Sequence, residues 1–163
     1  MSTYTRPTFV DGDVVKDLLE DKSKVPGKDY LVIDVRDSDY IGGHIRGSVN
    51  IPSQELPEKL PTLIEEYKAV PQLIFHCALS QVRGPKAANR WAEVLAARDG
   101  ASAAAAAEVA ATERAAVEAA NKGPLTQQVN ILRGGFGEWQ RQYKNDKNLV
   151  EDYEPEYWIE DQY

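Results

Sequence analysis

The chain of 163 residues has one cysteine, one methionine and two histidines. A single cysteine excludes an internal disulfide and a cysteine-rich zinc site. His44 and His76 lack a metal-ligand spacing, so no metal is expected. No apolar run approaches the ~20 residues of a membrane span, and the opening MSTYTRPTFV has no apolar core of leader length. A membrane partner is therefore not expected. Lys and Arg form no cluster, and Asp and Glu outnumber them 26 to 19, for a net charge of −7. Nucleic acid, which needs clustered cations, is not an expected partner either. A chain that avoids cysteine suits a reducing compartment, the cytoplasm or nucleus. The sequence carries no marker of oligomeric state.

What is present is the material of one ordinary domain: 42% hydrophobic and 28% charged residues. Thr8 to Val10 is β-prone, and Asp11 or Asp13 is placed to cap a helix with Val14, Val15, Leu18 and Leu19 on one side. Lys24 to Asp29 reads as a turn. YLVIDVRD and QLIFH are near-continuous apolar runs of the kind buried on both faces of a parallel sheet. Val49 to Ile51 and QVNILRGG add two more strands. From Ser53 the pattern predicts helical segments interrupted at Pro57 and Pro61, with Leu63, Ile64 and Tyr67 on an apolar face. Helices also follow Pro85 and lie in FGEWQRQY. Strands alternating with helices predict an α/β fold with a central, mainly parallel sheet flanked by helices.

Residues 100–123 are alanine-rich and read as an exposed helical insertion, separated from the preceding helix by Gly100 and ended by Gly123-Pro124. The domain is expected over 8–145. Residues 146–163 form an acidic, aromatic tail, with Tyr157 and Trp158 either packed on the domain or open to a partner.

The only thiol lies in LIFHCALSQVRGPKAA. Cys77 follows a buried strand. Arg83 stands six residues on, and Gly84-Pro85 opens a helix, where proline is favoured in the first turn. The segment Cys77–Arg83 therefore wraps the N-terminus of a helix, where inward amides and the helix dipole hold an anion. The same donors favour thiolate over thiol. Arg83 supplies a planar fork for two oxyanion oxygens. Ala78, Leu79, Ser80, Gln81 and Val82 supply the remaining substrate-binding backbone, and the Ser80 hydroxyl is placed to donate to the thiolate. Cys77 and Arg83 are the candidate catalytic pair. Asp34 and His76 are candidate supporting residues. Asp34 is either a buried anchor of the loop or a proton donor, and His76 either anchors the loop or tunes Cys77. Asp37 and Asp39 read as exposed, each a possible source of an acid. His44 reads as structural, and Gly134-Gly135 as a tight turn.

HCALSQVRGPKAA resembles the active-site loop of the rhodanese-like phosphatases, the M-phase inducer class, and more closely the small fungal and plant members that act as tyrosine phosphatases or arsenate reductases. VIDVRDSDYIGGHIRGSVNIP and ILRGGFGEWQRQY resemble the N- and C-terminal motifs of the rhodanese domain. The resemblance implies a rhodanese-like fold and a loop one residue longer than in sulfurtransferases, suited to phosphate or arsenate. It departs in two places: Ala78 stands where the cell-cycle enzymes have Glu, and their second cysteine is absent. The first expectation is a tyrosine or dual-specificity phosphatase working through phosphocysteine, with no cofactor and a phosphoprotein or small oxyanion as substrate. The second is an arsenate reductase drawing electrons from glutathione and glutaredoxin, and dual activity is compatible with both. A sulfurtransferase or a non-catalytic phospho-ligand module comes after these.

Overall fold

The computed structural model describes residues 4–107 and 127–159. In chain order the elements are β1 (Thr8–Val10), α1 (Gly12–Glu20), β2 (Leu31–Asp34), β3 (His44–Ile45), β4 (Val49–Asn50) and α2 (Leu56–Glu66). Then come β5 (Gln72–His76), α3 (Arg83–Ala107), β6 (Gln128–Leu132), α4 (Gly135–Tyr143), β7 (Val150–Glu151) and α5 (Pro155–Ile159). Five strands form one sheet in the order β1-β6-β5-β2-β4, and every pairing in it is parallel. β3 and β7 form a separate antiparallel ladder.

The continuous apolar runs are explained by burial on both faces. Leu31, Ile33, Leu73, Phe75, Val129 and Ile131 face α2 and α3, where Leu60, Ile64 and Trp91 complete one core. Val32, Ile74 and Leu132 face the opposite way, against Val15 and Leu18 of α1 and Phe136 and Trp139 of α4. The two-residue alternation of a strand sorts neighbours onto opposite cores. The chain leaves β2 toward β4 on one side and leaves β5 toward β6 on the other. The crevice beyond the carboxyl ends of β2 and β5 is thus the switch point where open parallel sheets bind ligands.

Three local expectations are corrected. Pro57 and Pro61 do not interrupt the helix: α2 is continuous, with one proline in its first turn. Pro61 lies in the middle of the helix and forfeits a single backbone bond, while Leu56, Leu60, Leu63 and Ile64 are all buried. Gly100 does not end the helix before it, because α3 runs through to Ala107. A helical glycine costs only about 1 kcal/mol against alanine, and the alanines that follow offset it. Asp11 holds the N-cap position of α1 but makes no side-chain cap bond. The rest of the alanine-rich segment, 108–123, lies outside the described residues.

The tail packs on the domain up to Trp158. Trp158 is buried against Phe136 and its indole N–H donates to the Gly42 carbonyl at 2.9 Å. β3, β7 and α5 had no clear periodicity in sequence, since each is five residues or fewer.

Candidate active site

Cys77 is the first residue beyond β5, and its side chain is 3% exposed. The chain then turns through Ser80, whose φ of +54° lies in the left-handed region, and enters α3 at Arg83. Two amides converge on the sulfur: Ser80 N–H donates to Sγ at 3.2 Å and Gly84 N–H at 3.4 Å. Gly84 permits this closeness, since a Cβ there would stand 3.3 Å from both the Cys77 nitrogen and the His76 Cα. Two backbone N–H dipoles are thus aimed at the one sulfur atom.

A second helix N-terminus holds the same loop from the other side. Phe136 N–H donates to the Cys77 carbonyl and Gly137 N–H to the Ala78 carbonyl, both at 2.9 Å. Gly135, at φ +59°, makes room for this contact: an added Cβ would sit 2.5 Å from the Cys77 oxygen and 2.6 Å from the Ala78 oxygen. Sequence reading took Gly134-Gly135 as a turn and missed its docking role. The signal was there in three glycines around Phe136.

Ser80 contacts the sulfur differently from expectation. Its backbone N–H, not its hydroxyl, makes the bond, and the buried Oγ has no partner among the described residues. Leu79 and Val82 are well exposed on the loop, at 58% and 70%, and Gln81 is exposed beside them.

Asp34 is not available as a proton donor. It is fully buried and gripped by Arg36, whose Nε and Nη2 donate to its oxygens at 2.7–3.1 Å. Arg36 in turn donates to the Gly43 carbonyl and lies over the Phe136 and Tyr40 rings. The pair thereby pins the 41–43 loop to β2. A buried ion pair holds its geometry because unpairing either charge is costly. His76 faces Asp34 across the β2–β5 ladder, with Nε2 3.7 Å from Oδ2. Its Nδ1 lies 3.1 Å from the Cys77 carbonyl, so this edge of the ring supports the loop. Complete burial pushes His76 below the usual histidine pKa and outweighs the nearby Asp34, keeping the ring neutral.

Asp37 and Asp39 are not simply exposed: both bind Arg83. Asp39 takes the guanidinium end-on, Nη1 to Oδ1 at 2.7 Å and Nη2 to Oδ2 at 2.6 Å. Asp37 Oδ2 accepts from Nη1 at 3.2 Å and also from the Ser53 hydroxyl. Arg83 hydrogen bonds hold Asp39 below the ordinary carboxylate range. Partial desolvation works against ionisation of Asp37, but Ser53, the Gln54 amide and Arg83 outweigh it. Arg83 is raised above its usual value, by Asp39 first, with Cys77 among the charges it feels.

His44 lies between Glu151 and Asp152 at the β3–β7 ladder, away from the sulfur's partners. Among the described residues no group of three or more His, Cys, Asp or Glu is placed to hold a metal, and no helix is long and apolar enough to cross a membrane.

A parallel sheet with a buried thiol at its switch point, its sulfur bonded by one loop amide and one amide of the following helix, defines a cysteine site of the α/β class. The chain belongs to the rhodanese-like domain family, whose model matches residues 12–142. It is 34% identical over 155 residues to dual specificity phosphatase ibp1 of Schizosaccharomyces pombe, covering 93% of this chain and 99% of that one. Its fold matches a yeast protein tyrosine phosphatase of the rhodanese family, with TM-score 0.65 and 28% identity over 94% of this chain and 98% of that one. It also matches an As-Sb reductase from Leishmania major, with TM-score 0.59 and 27% identity over 92% and 89% of the two chains.

Proposed function

We propose that this chain is a cysteine-dependent phosphatase of the rhodanese-like class, acting on aryl phosphate esters such as phosphotyrosine. The observation that carries the reading is the pair of amides, from Ser80 and Gly84, bonded to Cys77 Sγ. The thiolate attacks phosphorus in line, an S–P bond forms, and the P–O bond to the leaving group breaks. Arg83 and the loop amides stabilise the equatorial oxygens. Water then hydrolyses the phosphocysteine to inorganic phosphate and restores the thiol. Asp34 is sealed in its ion pair, and Asp37 and Asp39 are held ionised by Arg83 and their neighbours. Among the described residues, none of these three carboxyls stands ready to protonate an alkoxide, so esters whose phenolate leaves unaided are preferred. The reading places the chain in a reducing compartment, cytoplasm or nucleus, and needs no cofactor.

A second reading is supported by the same lack of an acid and by the likeness to the Leishmania reductase. Arsenate carries its own proton and needs no enzymic acid to lose water. Cys77 would displace that water to form an S–As(V) bond. Glutathione would attack the cysteine sulfur, leaving As(III) and a Cys77–glutathione disulfide for glutaredoxin to reduce.

Both readings are tested together on purified protein, with Cys77→Ser as control. One arm follows hydrolysis of 4-nitrophenyl phosphate. The other follows arsenate reduction with glutathione, glutaredoxin and a coupled reductase. Cys77-dependent hydrolysis supports the first reading, and arsenate reduction with feeble hydrolysis supports the second. Inactivity in both arms refutes both.

A further inference from the structure

Arg83 divides its donors unequally, and the division assigns a role to Asp39. A guanidinium has five N–H groups arranged on edges. Asp39 occupies the end edge, one hydrogen from Nη1 and one from Nη2, at 2.7 and 2.6 Å. Asp37 takes the other Nη1 hydrogen at 3.2 Å. Among the described residues, Nε–H and the second Nη2–H have no acceptor. Those two hydrogens are parallel neighbours and make up one complete side edge, a bidentate match for two oxyanion oxygens.

We propose that Asp39 is a positioning residue for catalysis: it keeps the end edge of Arg83, so that the substrate oxyanion is received on the side edge. This rests on the oxyanion reading of the Cys77 site. A long, partly exposed arginine has many rotamers, and ordering it at the moment of binding costs free energy. The Asp39 pair meets that cost in advance. It also fixes the rotation of the guanidinium plane, which a lysine ammonium lacks. Two other roles for the same carboxylate make opposite predictions. An Asp39 that merely masks Arg83 would have to be displaced by substrate, and its removal would tighten oxyanion binding. An Asp39 acting as acid would matter in proportion to how poorly the leaving group departs.

The test uses the full chain with Asp39→Asn, which keeps an acceptor for the Asp37 N–H now bonded to Oδ1. Its readouts are kcat/KM on 4-nitrophenyl phosphate and on phenyl phosphate, and the inhibition constant for inorganic phosphate. We expect Asp39→Asn to lose about 10-fold or more in kcat/KM on both esters equally, with phosphate inhibition weakened in parallel. Asp39→Glu should recover part of the loss. In a double-mutant cycle, Arg83→Lys with Asp39→Asn should be no worse than Arg83→Lys alone, because lysine has no plane to position. Tighter phosphate inhibition, a loss confined to phenyl phosphate, or fully additive losses would each overturn the proposal. If the unsubstituted protein neither turns over either ester nor binds phosphate, the oxyanion reading itself fails and takes this proposal with it. Unchanged kinetics in Asp39→Asn, beside an active parent, refute Asp39 alone. Thermal melting of each variant verifies that the comparison is between folded proteins.

Discussion

Gly135 stands so close to Cys77 that a methyl group on its Cα would lie 2.5 Å from the Cys77 carbonyl oxygen. The contact is backbone against backbone, so no side chain can swing aside to relieve it. Gly135→Ala should therefore displace the catalytic loop and also strain a positive φ. We expect a loss of ~2–4 kcal/mol of stability and at least a 100-fold loss of kcat/KM. Gly27 is the control. It also has a positive φ, +90°, but nothing within 4 Å of its Cβ position. Gly27→Ala should cost about 1–2 kcal/mol and leave turnover intact. Denaturant melts and steady-state kinetics on the pair separate strain from displacement.

Ser80 offers the converse test. Its amide serves the sulfur, while its hydroxyl bonds to nothing among the described residues. Ser80→Gly keeps the amide and relaxes the left-handed backbone. We expect turnover within about 3-fold of the parent and unchanged or slightly raised stability. A large fall in kcat with burst kinetics intact would mean that the hydroxyl drives breakdown of the phosphocysteine.

His76 sets a pH dependence whose sign follows from its burial. The ring is neutral in the fold because its pKa is depressed, whereas the unfolded chain binds a proton below about pH 6.5. The unfolded state then holds more protons, so stability falls as pH drops below about 6.5 and is regained above it. The limiting slope is about 1.4 kcal/mol per pH unit for one proton. Asp37 and Asp39, both depressed, stay ionised there, and the stability they lend is lost only as pH falls below about 4. Urea titrations between pH 5 and 7 should show the slope in the parent and lose it in His76→Asn, which retains an N–H donor for the loop.

Trp158→Ala tests whether the tail belongs to the domain. Trp158 covers Phe136 and holds the Gly42 carbonyl, and Gly42 adjoins Gly43, to which Arg36 is bonded. Removing the indole should cost ~3–5 kcal/mol, the usual range for a buried tryptophan, read as a lower denaturation midpoint. A midpoint unchanged from the parent would show that the tail is an appendage.

Much of this was legible from residues alone. Continuous runs such as Leu31–Asp34 and Leu73–His76 announce doubly buried strands, because alternate residues feed different cores. The placement of Cys77–Arg83 between a strand and a helix was visible because an apolar run stops just before it and Gly84-Pro85 follows it. The Asp39–Arg83 pair was not, since it joins residues 44 apart through side-chain rotamers that no periodicity encodes. The Phe136 and Gly137 bonds were hidden for a similar reason. They cross from one motif to another, and only the sheet order brings β5 and β6 side by side. The unbroken α2 shows the opposite failure. Local breakers at Pro57 and Pro61 were overruled by four buried side chains.

β5 lies at the middle of the five-stranded sheet, paired along its length with β2 on one side and β6 on the other. Its amides should be among the slowest in the molecule to exchange with deuterium, opening only when the whole domain opens. Cys77 is attached directly to that strand. On heating, the thiol cradle should thus persist until global unfolding, with activity and near-UV circular dichroism lost at one temperature. Reagents that alkylate the sulfur, 3% exposed in the fold, would then gain a denaturant-sensitive route whose rate reports the unfolding of the sheet itself.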